Sequence, residues 1–594
     1  MRIERDLECA TRDGCVLRAD RYRPATGQEL PTLLLRTPYD RRRCHYSVYA
    51  HPAWYVRQGF NVVVQDVRGR FASEGEFDPF LQEGPDGYDT VEWAARLPGA
   101  NGAVAMYGQS YVGYAQLATA AERPPHLVAI APAVTSADPH GWFYEGGALR
   151  LAFAATWAAT LGVHESTRGG DTVTAAVLAA ALAAPESWLR PGPPPELEPV
   201  VSAVPWYREW VTRPERDDPY WAERDISKRL ASIEVPALLV GGWYDIFLDG
   251  TLAAFEALAE RAPGVGPTDL LVGPWAHAPW GDVVGDVDAG RSTGPQGVAV
   301  DREQIGFIRE CLGTERPGPG AGPVRYYVIF GGQGWRAGDS WPPRAAAEVT
   351  FYLRSGGLAN TATGDGRLSL VRPEADPPDV YAYDPAIPMR AVGGHAAAHG
   401  DLAPIGAQDQ RPRQQLPEVL VYTSDPVERR LVVAGDVGLE LFVASTGDSA
   451  DFAAQLSVVR TSGEAVNVAD GIARVETGLA GTAERDEPVR VLVSLRASAF
   501  AVAPGERIRL DVTGGAFPHF DSNPQTGPAG APSGAPAVPQ THLVFHAEDA
   551  PSALTLAVLE GAIPGGPECL TGLTGGHPPE EGKCCPGGAI NCQP

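Results

Sequence analysis

Hydrophobic positions in the first part of the chain occur as short, nearly continuous apolar runs, with longer stretches of helix-forming composition between them. The runs are TLLLRT (32–37), NVVVQDVRG (61–69), AVAM (103–106), HLVAIAPAV (126–134), VPALLVGGWYD (235–245), DLLVGPWAH (269–277) and VRYYVIFGG (324–332). Apolar runs that alternate with helices are typical of a parallel sheet whose strands are buried on both faces. We therefore predict an α/β domain made from residues 1–141 and 233–345.

The segment between these two parts, residues 142–232, has a different pattern. LRLAFAATWAATL (149–161) and DTVTAAVLAAALAA (171–184) are predicted helices, a proline-rich break follows at 189–199, and the next stretch is dense in tryptophan and tyrosine. An aromatic-rich helical insert between sheet strands is typical of a cap over the strand ends, where it selects substrates. We expect most of these aromatic residues simply to pack the cap.

Apolar and polar residues alternate from Glu348 onward, in many short segments separated by Gly, Pro and Asp. This pattern predicts a β-sandwich over residues 346–560. Such a domain on its own could bind carbohydrate. Here we expect it to be mainly structural, supporting the α/β domain and closing one side of its pocket.

The size, composition and net charge of the chain exclude some classes of function. A chain of 594 residues is too long for one core, and 44% hydrophobic with 20% charged residues is typical of a globular protein. A formal net charge of −25 argues against nucleic acid and anionic membranes as partners. The first residues hold no apolar signal segment and no apolar run is long enough to span a membrane, so we expect a cytoplasmic protein. The oligomeric state stays open between monomer and homodimer.

Cysteines are few for this length and fall into two groups. Cys9, Cys15, Cys44 and Cys311 are scattered and expected to be reduced. The others crowd the end of the chain within residues 561–594, a stretch rich in Gly and Pro that also holds His577. Their spacing fits no common zinc pattern, so we predict a disordered tail rather than a metal site.

The most informative segment is AVAMYGQSYVGYAQLATA (103–120). It predicts a strand, a tight turn at Ser110 and a helix, an arrangement that pushes the serine hydroxyl out of the backbone toward a ligand. Gly108 and Gly113 would let the strand and the helix pack closely around the turn. Val112 stands where the common Gly-x-Ser-x-Gly pattern has its second glycine. Similar turns occur in proteins whose serine is not catalytic. The turn alone therefore does not decide between a nucleophilic serine and an ordinary tight turn.

A nucleophilic serine needs a base and a carboxylate that holds the base. Asp245 directly follows one predicted strand and His277 follows the next, in the order serine, acid, histidine that α/β-hydrolases use. Asp245 could instead cap a helix, with Asp249 as a rival acid, and His277 could be an ordinary loop histidine. The order, strand-end placement and spacing together favour a Ser110, Asp245, His277 triad.

Acyl transfer also needs donors for the oxyanion. The backbone N–H of Tyr111, which follows the nucleophile, is the first expected donor. The second should come from the loop after an early strand, where Tyr39 offers a phenol. A tyrosine at a strand end is more often a packing residue, so the pattern alone does not give Tyr39 this role.

Motifs of several unrelated kinds extend over nearly the whole chain, to about residue 560. They are RTPYDR (36–41), QDVRGRFASEGEF (65–77), GYDTVEWAARLP (87–98), GQSYVGY (108–114), GGWYDIF (241–247), GPWAH (273–277), WRAGDSWPP (335–343), LVYTSDPVE (420–428) and RIRLDVTGGAFPHFDSNPQTG (507–527). In this order they resemble the cocaine esterase and X-prolyl dipeptidyl aminopeptidase group of serine hydrolases. This group also holds α-amino acid ester hydrolases and glutaryl acylases.

The resemblance implies an α/β-hydrolase domain, a helical cap and a C-terminal jelly roll. It implies the same triad and gives the Tyr39 hydroxyl a place in the oxyanion hole. Trp243 and Phe247, which flank the acid, would help line an acyl pocket. No metal or organic cofactor is needed for this chemistry.

The sequence therefore predicts a serine hydrolase that cleaves an ester or amide through an acyl-enzyme. An X-prolyl peptidase and an acyltransferase with the same triad remain alternatives, and a non-enzymatic binding protein is disfavoured. Peptidases of this group bind a free amine through acidic residues, for which Glu145, Asp217 and Asp218 are unmatched candidates. Because solvated surface charge explains these three more simply, we favour an esterase or amidase for a bulky acyl group.

Overall fold

The computed structural model describes residues 1–43, 48–191, 198–262, 264–294, 298–314, 323–332, 334–345, 347–397, 402–485, 487–527 and 537–560. Within these ranges the chain forms two large sheets, one in each half of the sequence. The cysteine-rich tail at 561–594 lies outside the described residues, so its disorder stays a prediction.

The N-terminal half alternates strands and helices. Its strands are β1 (Arg2–Ala10), β2 (Val16–Arg23), β3 (Leu30–Thr37), β4 (Asn61–Asp66), β5 (Ala100–Gln109), β6 (Leu127–Ala133), β7 (Tyr144–Glu145), β8 (Ala148–Leu149), β9 (Ala237–Tyr244), β10 (Thr268–Ala276), β11 (Val283–Val284), β12 (Val287–Asp288), β13 (Val324–Tyr327) and β14 (Trp335–Gly338). Its helices are α1 (Pro52–Arg57), α2 (Glu83–Ala95), α3 (Tyr111–Ala121), α4 (His140–Phe143), α5 (Leu151–Gly169), α6 (Thr172–Ala183), α7 (Glu198–Ala203), α8 (Pro205–Thr212), α9 (Pro219–Arg224), α10 (Leu248–Ala259) and α11 (Val300–Cys311).

The main sheet of this half has the strand order β1-β2-β4-β3-β5-β6-β9-β10-β13-β14. Strands β4 to β13 in this order run parallel, while β1, β2 and β14 are antiparallel to their neighbours. Every residue of β9 is buried, which explains its almost uninterrupted apolar sequence. The predicted parallel sheet is confirmed, and the carboxyl ends of β5, β9 and β10 lie on the same edge.

Helices α4 to α9 form the insert between β6 and β9. Helix α5 runs to Gly169, well beyond the predicted end at residue 161. Gly162 does not end the helix, and it lets neighbouring side chains pack closely, since a Cβ there would lie 2.8 Å from Leu178. Gly170 ends the helix in the left-handed conformation, and the Asp171 side chain then accepts the Thr174 N–H at 3.0 Å to start α6. The helical insert is therefore present where the sequence predicts a cap.

The C-terminal half is built of strands. They are β15 (Ala347–Arg354), β16 (Arg367–Ser369), β17 (Ala375–Tyr383), β18 (Leu420–Thr423), β19 (Leu431–Ser445), β20 (Ala450–Val459), β21 (Ala465–Val475), β22 (Val489–Val502), β23 (Arg507–Thr513), β24 (Gln540–Ala547) and β25 (Ala553–Glu560), with one short helix, α12 (Thr482–Arg485), among the described residues. They pair in the order β17-β24-β19-β25-β15-β16-β18-β23-β20-β21, with β22 on β19. Buried and exposed residues alternate along β15 and β17, as expected for a β-sandwich.

Backbone hydrogen bonds join the two halves. The Ile329 N–H donates to the Ala499 carbonyl and the Ala501 N–H to the Ile329 carbonyl, both at 2.8 Å. At the cap, the Arg474 N–H donates to the Gly146 carbonyl at 2.7 Å. The sandwich therefore contacts both the α/β sheet and the cap. None of the described helices is both long and apolar enough to cross a membrane.

Candidate active site

Ser110 lies in the turn between β5 and α3, in a strained conformation with φ 58° and ψ −127°. Its N–H donates to the Ala133 carbonyl at 2.9 Å, and its carbonyl accepts the Thr135 hydroxyl at 2.8 Å. The turn is thus held from the neighbouring strand β6. A positive φ at a non-glycine residue costs on the order of 1–3 kcal/mol and is concentrated at functional sites.

Val112, the departure from the common serine pattern, is accommodated by Gly108. A Cβ at Gly108, where φ is 135°, would lie 2.2 Å from Val112 Cγ1. On the other side of the turn, a Cβ at Gly113 would lie 2.8 Å from Thr135. The turn therefore needs glycine at both positions.

Asp245 and His277 follow β9 and β10 and meet at the sheet edge. His277 Nδ1 is 2.7 Å from Asp245 Oδ1, and Asp245 is fully buried. The rival acid Asp249 is half-exposed in the first turn of α10, where it lies 4.0 Å from Arg496. The carboxylate that holds the histidine is therefore that of Asp245, which leaves Nε2 of the ring to face a substrate or nucleophile.

In the described part of the chain, Ser110 Oγ and His277 Nε2 are not hydrogen-bonded to each other. Catalytic hydrogen bonds are often long without substrate and tighten in the complex. Ser110 is 8% exposed and the His277 side chain 15%, so both groups lie in a largely closed site.

Tyr111 is anchored by its side chain. The phenol donates to Glu83 Oε1 at 2.9 Å and accepts the Phe80 N–H at 3.0 Å. Glu83 in turn pairs with buried Arg36 at 2.7 Å. Burial raises the pKa values of the Tyr111 phenol and the Glu83 carboxyl. This network places the first backbone N–H after the nucleophile at a defined position beside Ser110.

Tyr39 lies in the loop after β3 and contacts the cap. Its hydroxyl accepts the indole N–H of Trp157, on α5, at 3.0 Å. The preceding residue, Pro38, is held through its carbonyl by Nε of Arg70 at 3.1 Å. Arg70 is buried, which lowers its pKa to about 10, and it also pairs with Glu165 of α5. The bond to Trp157 uses a lone pair of the Tyr39 oxygen rather than its proton.

Aromatic side chains of the cap surround the acid loop. The Phe247 ring meets the His277 ring edge-on at 5.3 Å and lies 4.3 Å from Trp142. Trp142 lies 5.7 Å from Trp157, which stacks on Phe153. Sequence reasoning noted the aromatic density of this segment but did not single out these tryptophans, because helical spacing does not say which ring faces the site.

The two residues predicted to line an acyl pocket lie in different surroundings. Phe247 contacts His277, as described above. Trp243 is fully buried, donates its indole N–H to the Tyr327 carbonyl at 2.6 Å and packs 5.2 Å from Trp341. Of the two, it is Phe247 whose ring meets His277.

The three acidic residues considered for binding a substrate amine either pair with arginines or are exposed. Glu145 pairs with Arg150 and Arg496. Asp218 caps α9 and pairs with Arg213, while Asp217 is exposed. Among the described residues there is also no group of three or more His, Cys, Asp or Glu side chains that could hold a metal.

Comparisons with known proteins show the family of this chain. Residues 13–279 match the family model "X-Pro dipeptidyl-peptidase (S15 family)" and residues 320–555 match "X-Pro dipeptidyl-peptidase C-terminal non-catalytic domain". Cocaine esterase of Rhodococcus sp. (strain MB1 Bresler) is 34% identical over 535 residues, which cover 87% of this chain and 91% of that protein.

Two solved structures share the fold. An aminopeptidase from a marine sediment archaeon (Thaumarchaeota archaeon) superposes with a TM-score of 0.76 at 24% identity, covering 94% of this chain and 97% of the other. An α-amino acid ester hydrolase superposes with a TM-score of 0.75 at 22% identity, covering 94% and 96%. At 24% and 22% identity, these two structures show only that the fold is shared.

Proposed function

Because the chain belongs to the family of serine hydrolases that includes cocaine esterase and the X-Pro dipeptidyl-peptidases, we propose that it cleaves esters or amides of small molecules with a bulky acyl group. The observation that carries the proposal is the 2.7 Å contact between His277 and buried Asp245, at the same sheet edge as the strained turn of Ser110. A histidine held by a carboxylate and a serine turn at the same sheet edge are two parts of the arrangement that acyl transfer needs.

In the proposed mechanism, His277 Nε2 takes the hydroxyl proton as Ser110 Oγ attacks the acyl carbon. Asp245 holds the ring tautomer and stabilises the imidazolium that forms. The Tyr111 N–H and the Tyr39 hydroxyl donate to the oxyanion. The imidazolium then protonates the leaving group, and a water activated by His277 hydrolyses the acyl-enzyme to release the acid.

Two features favour an apolar acyl group over a peptide with a free amine. The Phe247 ring contacts His277 and packs against Trp142 and Phe153, so the surroundings of the histidine are apolar and aromatic, which suits an apolar acyl group. The acidic residue among the candidates that is nearest the acid loop, Glu145, is already neutralised by two arginines. The 34% identity to a protein named cocaine esterase supports the same choice.

A substrate panel tests the proposal. We would assay purified protein on p-nitrophenyl esters of increasing acyl size and on aminoacyl-prolyl anilides, with Ser110→Ala and Tyr39→Phe in parallel. We expect ester cleavage that is lost by several orders of magnitude in Ser110→Ala and reduced about 10²-fold to 10³-fold in Tyr39→Phe, as for removal of an oxyanion donor. Wild-type turnover in Ser110→Ala would refute the triad.

The same panel separates the alternatives. Preferential release from the prolyl anilides would make the protein a peptidase. Products that carry an added alcohol or amine instead of water would make it an acyltransferase.

We also propose a cytoplasmic location, because Cys9, Cys15 and Cys311 are free cysteines. Cell fractionation tests this. The choice between monomer and homodimer is decided by the mass of the purified protein in solution.

A further inference from the structure

Two buried arginines from outside the α/β sheet meet at the backbone of the catalytic acid. Arg150 lies at the start of α5 in the cap, and Arg496 lies in β22 of the C-terminal sandwich. Their side chains are 6% and 1% exposed. In a chain with a net charge of −25, two guanidinium groups buried at the edge of the active site call for an explanation.

Both guanidinium groups donate to the peptide carbonyls just after β9. Arg150 Nη1 donates to the Ile246 carbonyl at 2.6 Å. Arg496 Nη1 donates to the carbonyls of Asp245 and Ile246, each at 3.4 Å. The backbone of the acid loop is thus held by one side chain from the cap and one from the sandwich.

Glu145 joins the two arginines. Its Oε1 accepts Arg496 Nε at 3.1 Å, and its Oε2 accepts Arg150 Nη2 at 3.1 Å and also Arg496 Nη2. The three residues together carry a net charge of +1, and the carboxylate of Asp249 lies 4.0 Å from Arg496. We call Arg150, Glu145 and Arg496 the acid-loop clamp.

The side chain of Asp245 itself is fully buried. Its Oδ1 contacts His277, but its Oδ2 is buried with no hydrogen-bond partner among the described residues. Positive charge nearby partly offsets the loss of water around a buried carboxylate. Arg150 interacts electrostatically with Asp245.

The backbone at Arg496 is strained in a way that directs this side chain. Arg496 has φ 66°, in the left-handed region that non-glycine residues avoid. It lies where the register between β19 and β22 shifts, since Asp436 pairs with Ala497 but Gly438 pairs with Ser494. A bulge of this kind re-aims a side chain out of the regular strand pattern, and here the side chain reaches the acid loop.

We infer that Arg150 and Arg496, joined by Glu145, are positioning residues for Asp245: they hold the peptide that carries it so that Oδ1 faces His277. The inference rests on the proposed function. It makes the C-terminal sandwich part of the catalytic apparatus, although none of its residues needs to touch the substrate.

Arg496→Gln tests the clamp, with Arg413→Gln as a matched control. Arg413 is also a buried sandwich arginine, 6% exposed and paired with Asp511, but it does not contact the acid loop. We expect kcat on the best ester to fall by at least about tenfold in Arg496→Gln, with KM changed less than about threefold, since the change misplaces the base rather than the pocket. Arg413→Gln should keep wild-type kcat.

A double variant separates positioning from general structural damage. If Arg496 acts through Asp245, adding Arg496→Gln to Asp245→Asn should lower the residual kcat less than about twofold. A wild-type kcat in Arg496→Gln, or an equal fall in both backgrounds, overturns the inference. Arg496→Lys, which keeps the charge, serves if the Gln variant fails to fold, and should retain more activity than Arg496→Met.

Hydrogen exchange over residues 241–250 gives a second readout that does not depend on turnover. Exchange in this segment should be faster in Arg496→Gln than in wild type and unchanged in Arg413→Gln. Ser110→Ala is assayed alongside. Activity that remains in Ser110→Ala refutes the proposed function. Activity that is lost in Ser110→Ala but unchanged in Arg496→Gln refutes only the clamp. Unchanged exchange in Arg496→Gln overturns the inference in either case.

Discussion

Tyr111 contributes to the site with two different parts of the residue. Its backbone N–H lies beside the nucleophile, while its phenol lies in a buried network with Glu83 and Arg36. The side chain thereby orients the backbone, because the peptide cannot rotate without breaking a buried, charge-assisted hydrogen bond. In the proposed mechanism, the residue after the nucleophile therefore contributes through its anchored side chain as well as through its backbone N–H.

Tyr111→Phe tests this division of roles. Loss of the phenol leaves Glu83 Oε1 without its donor, so the free energy of unfolding should fall by about 1–3 kcal/mol. We also expect kcat to fall on the order of tenfold, because the oxyanion donor is less well placed. Denaturant unfolding and ester kinetics measure the two effects.

Tyr114→Phe is the control. Tyr114 lies on the same helix and bonds to the carbonyls of Phe80 and Arg224, so its loss should lower stability similarly but leave kcat unchanged. Equal kcat values in the two variants would contradict the anchoring role of Tyr111.

At the scale of elements, the turn between β5 and α3 depends on one close approach. Val112 lies over Gly108, and the φ of 135° at that glycine is unfavourable for any other residue. Val112 is therefore tolerated at the usual glycine position because Gly108 has no side chain to clash with it.

We expect Gly108→Ala to destabilise the protein by about 3 kcal/mol or more, as backbone strain adds to overpacking. Adding Val112→Gly should recover part of this loss, since it removes the clash and leaves the strain. Gly99→Ala, at φ 82° with no neighbour closer than 3.8 Å, reports strain alone. Thermal unfolding compares the variants, and a double variant no better than Gly108→Ala would rule out the clash.

Element-scale prediction from sequence worked where the signal is local. Short apolar runs define β5, β9 and β10, and the residue after each run is Ser110, Asp245 or His277 once the strand ends are known. The residues that position the side chains of the site could not be predicted from the sequence. Trp157 lies 118 positions from Tyr39 and Glu83 lies 28 from Tyr111, and no periodicity links the members of either pair. The different environments of Trp243 and Phe247 likewise depend on tertiary packing, which the sequence pattern does not show.

At the scale of the whole molecule, buried histidines in the sandwich make stability depend on pH. His542 is fully buried in β24, its Nε2 lies 2.7 Å from Gln525 Oε1, and burial lowers its pKa to about 4. Between about pH 6.5 and pH 4 the unfolded chain therefore binds a proton that the folded chain excludes. The stability from this site is complete above pH 6.5 and is lost as the pH falls toward 4.

Removing His542 should flatten that dependence. From pH 7 to pH 5 this one site lowers the free energy of unfolding by about 2 kcal/mol, and His542→Gln lacks the contribution. The difference between wild type and variant, measured by denaturant unfolding at both pH values, should shrink by that amount at pH 5. A difference that does not change with pH would show that His542 has the same pKa in the folded chain as in the unfolded chain.

The alternating pattern was enough to predict the sandwich, and the parallel pattern was enough to predict the domain that carries the triad. The pattern did not reveal how the two halves meet. Glu145 illustrates this. From the sequence it was expected to be a solvated surface charge rather than a site for an amine, and that expectation is wrong, because its side chain is 10% exposed and joins an arginine of the cap to one of the sandwich. Such contacts depend on the docking of whole domains.

The bond from Trp157 to Tyr39 has a consequence for protein engineering. Specificity of capped enzymes is commonly altered by grafting the insert of one relative onto the body of another. In this protein a graft would also replace the donor that holds the Tyr39 hydroxyl. A chimaera would therefore change its catalytic rate together with its substrate choice, unless the incoming segment keeps an indole at position 157.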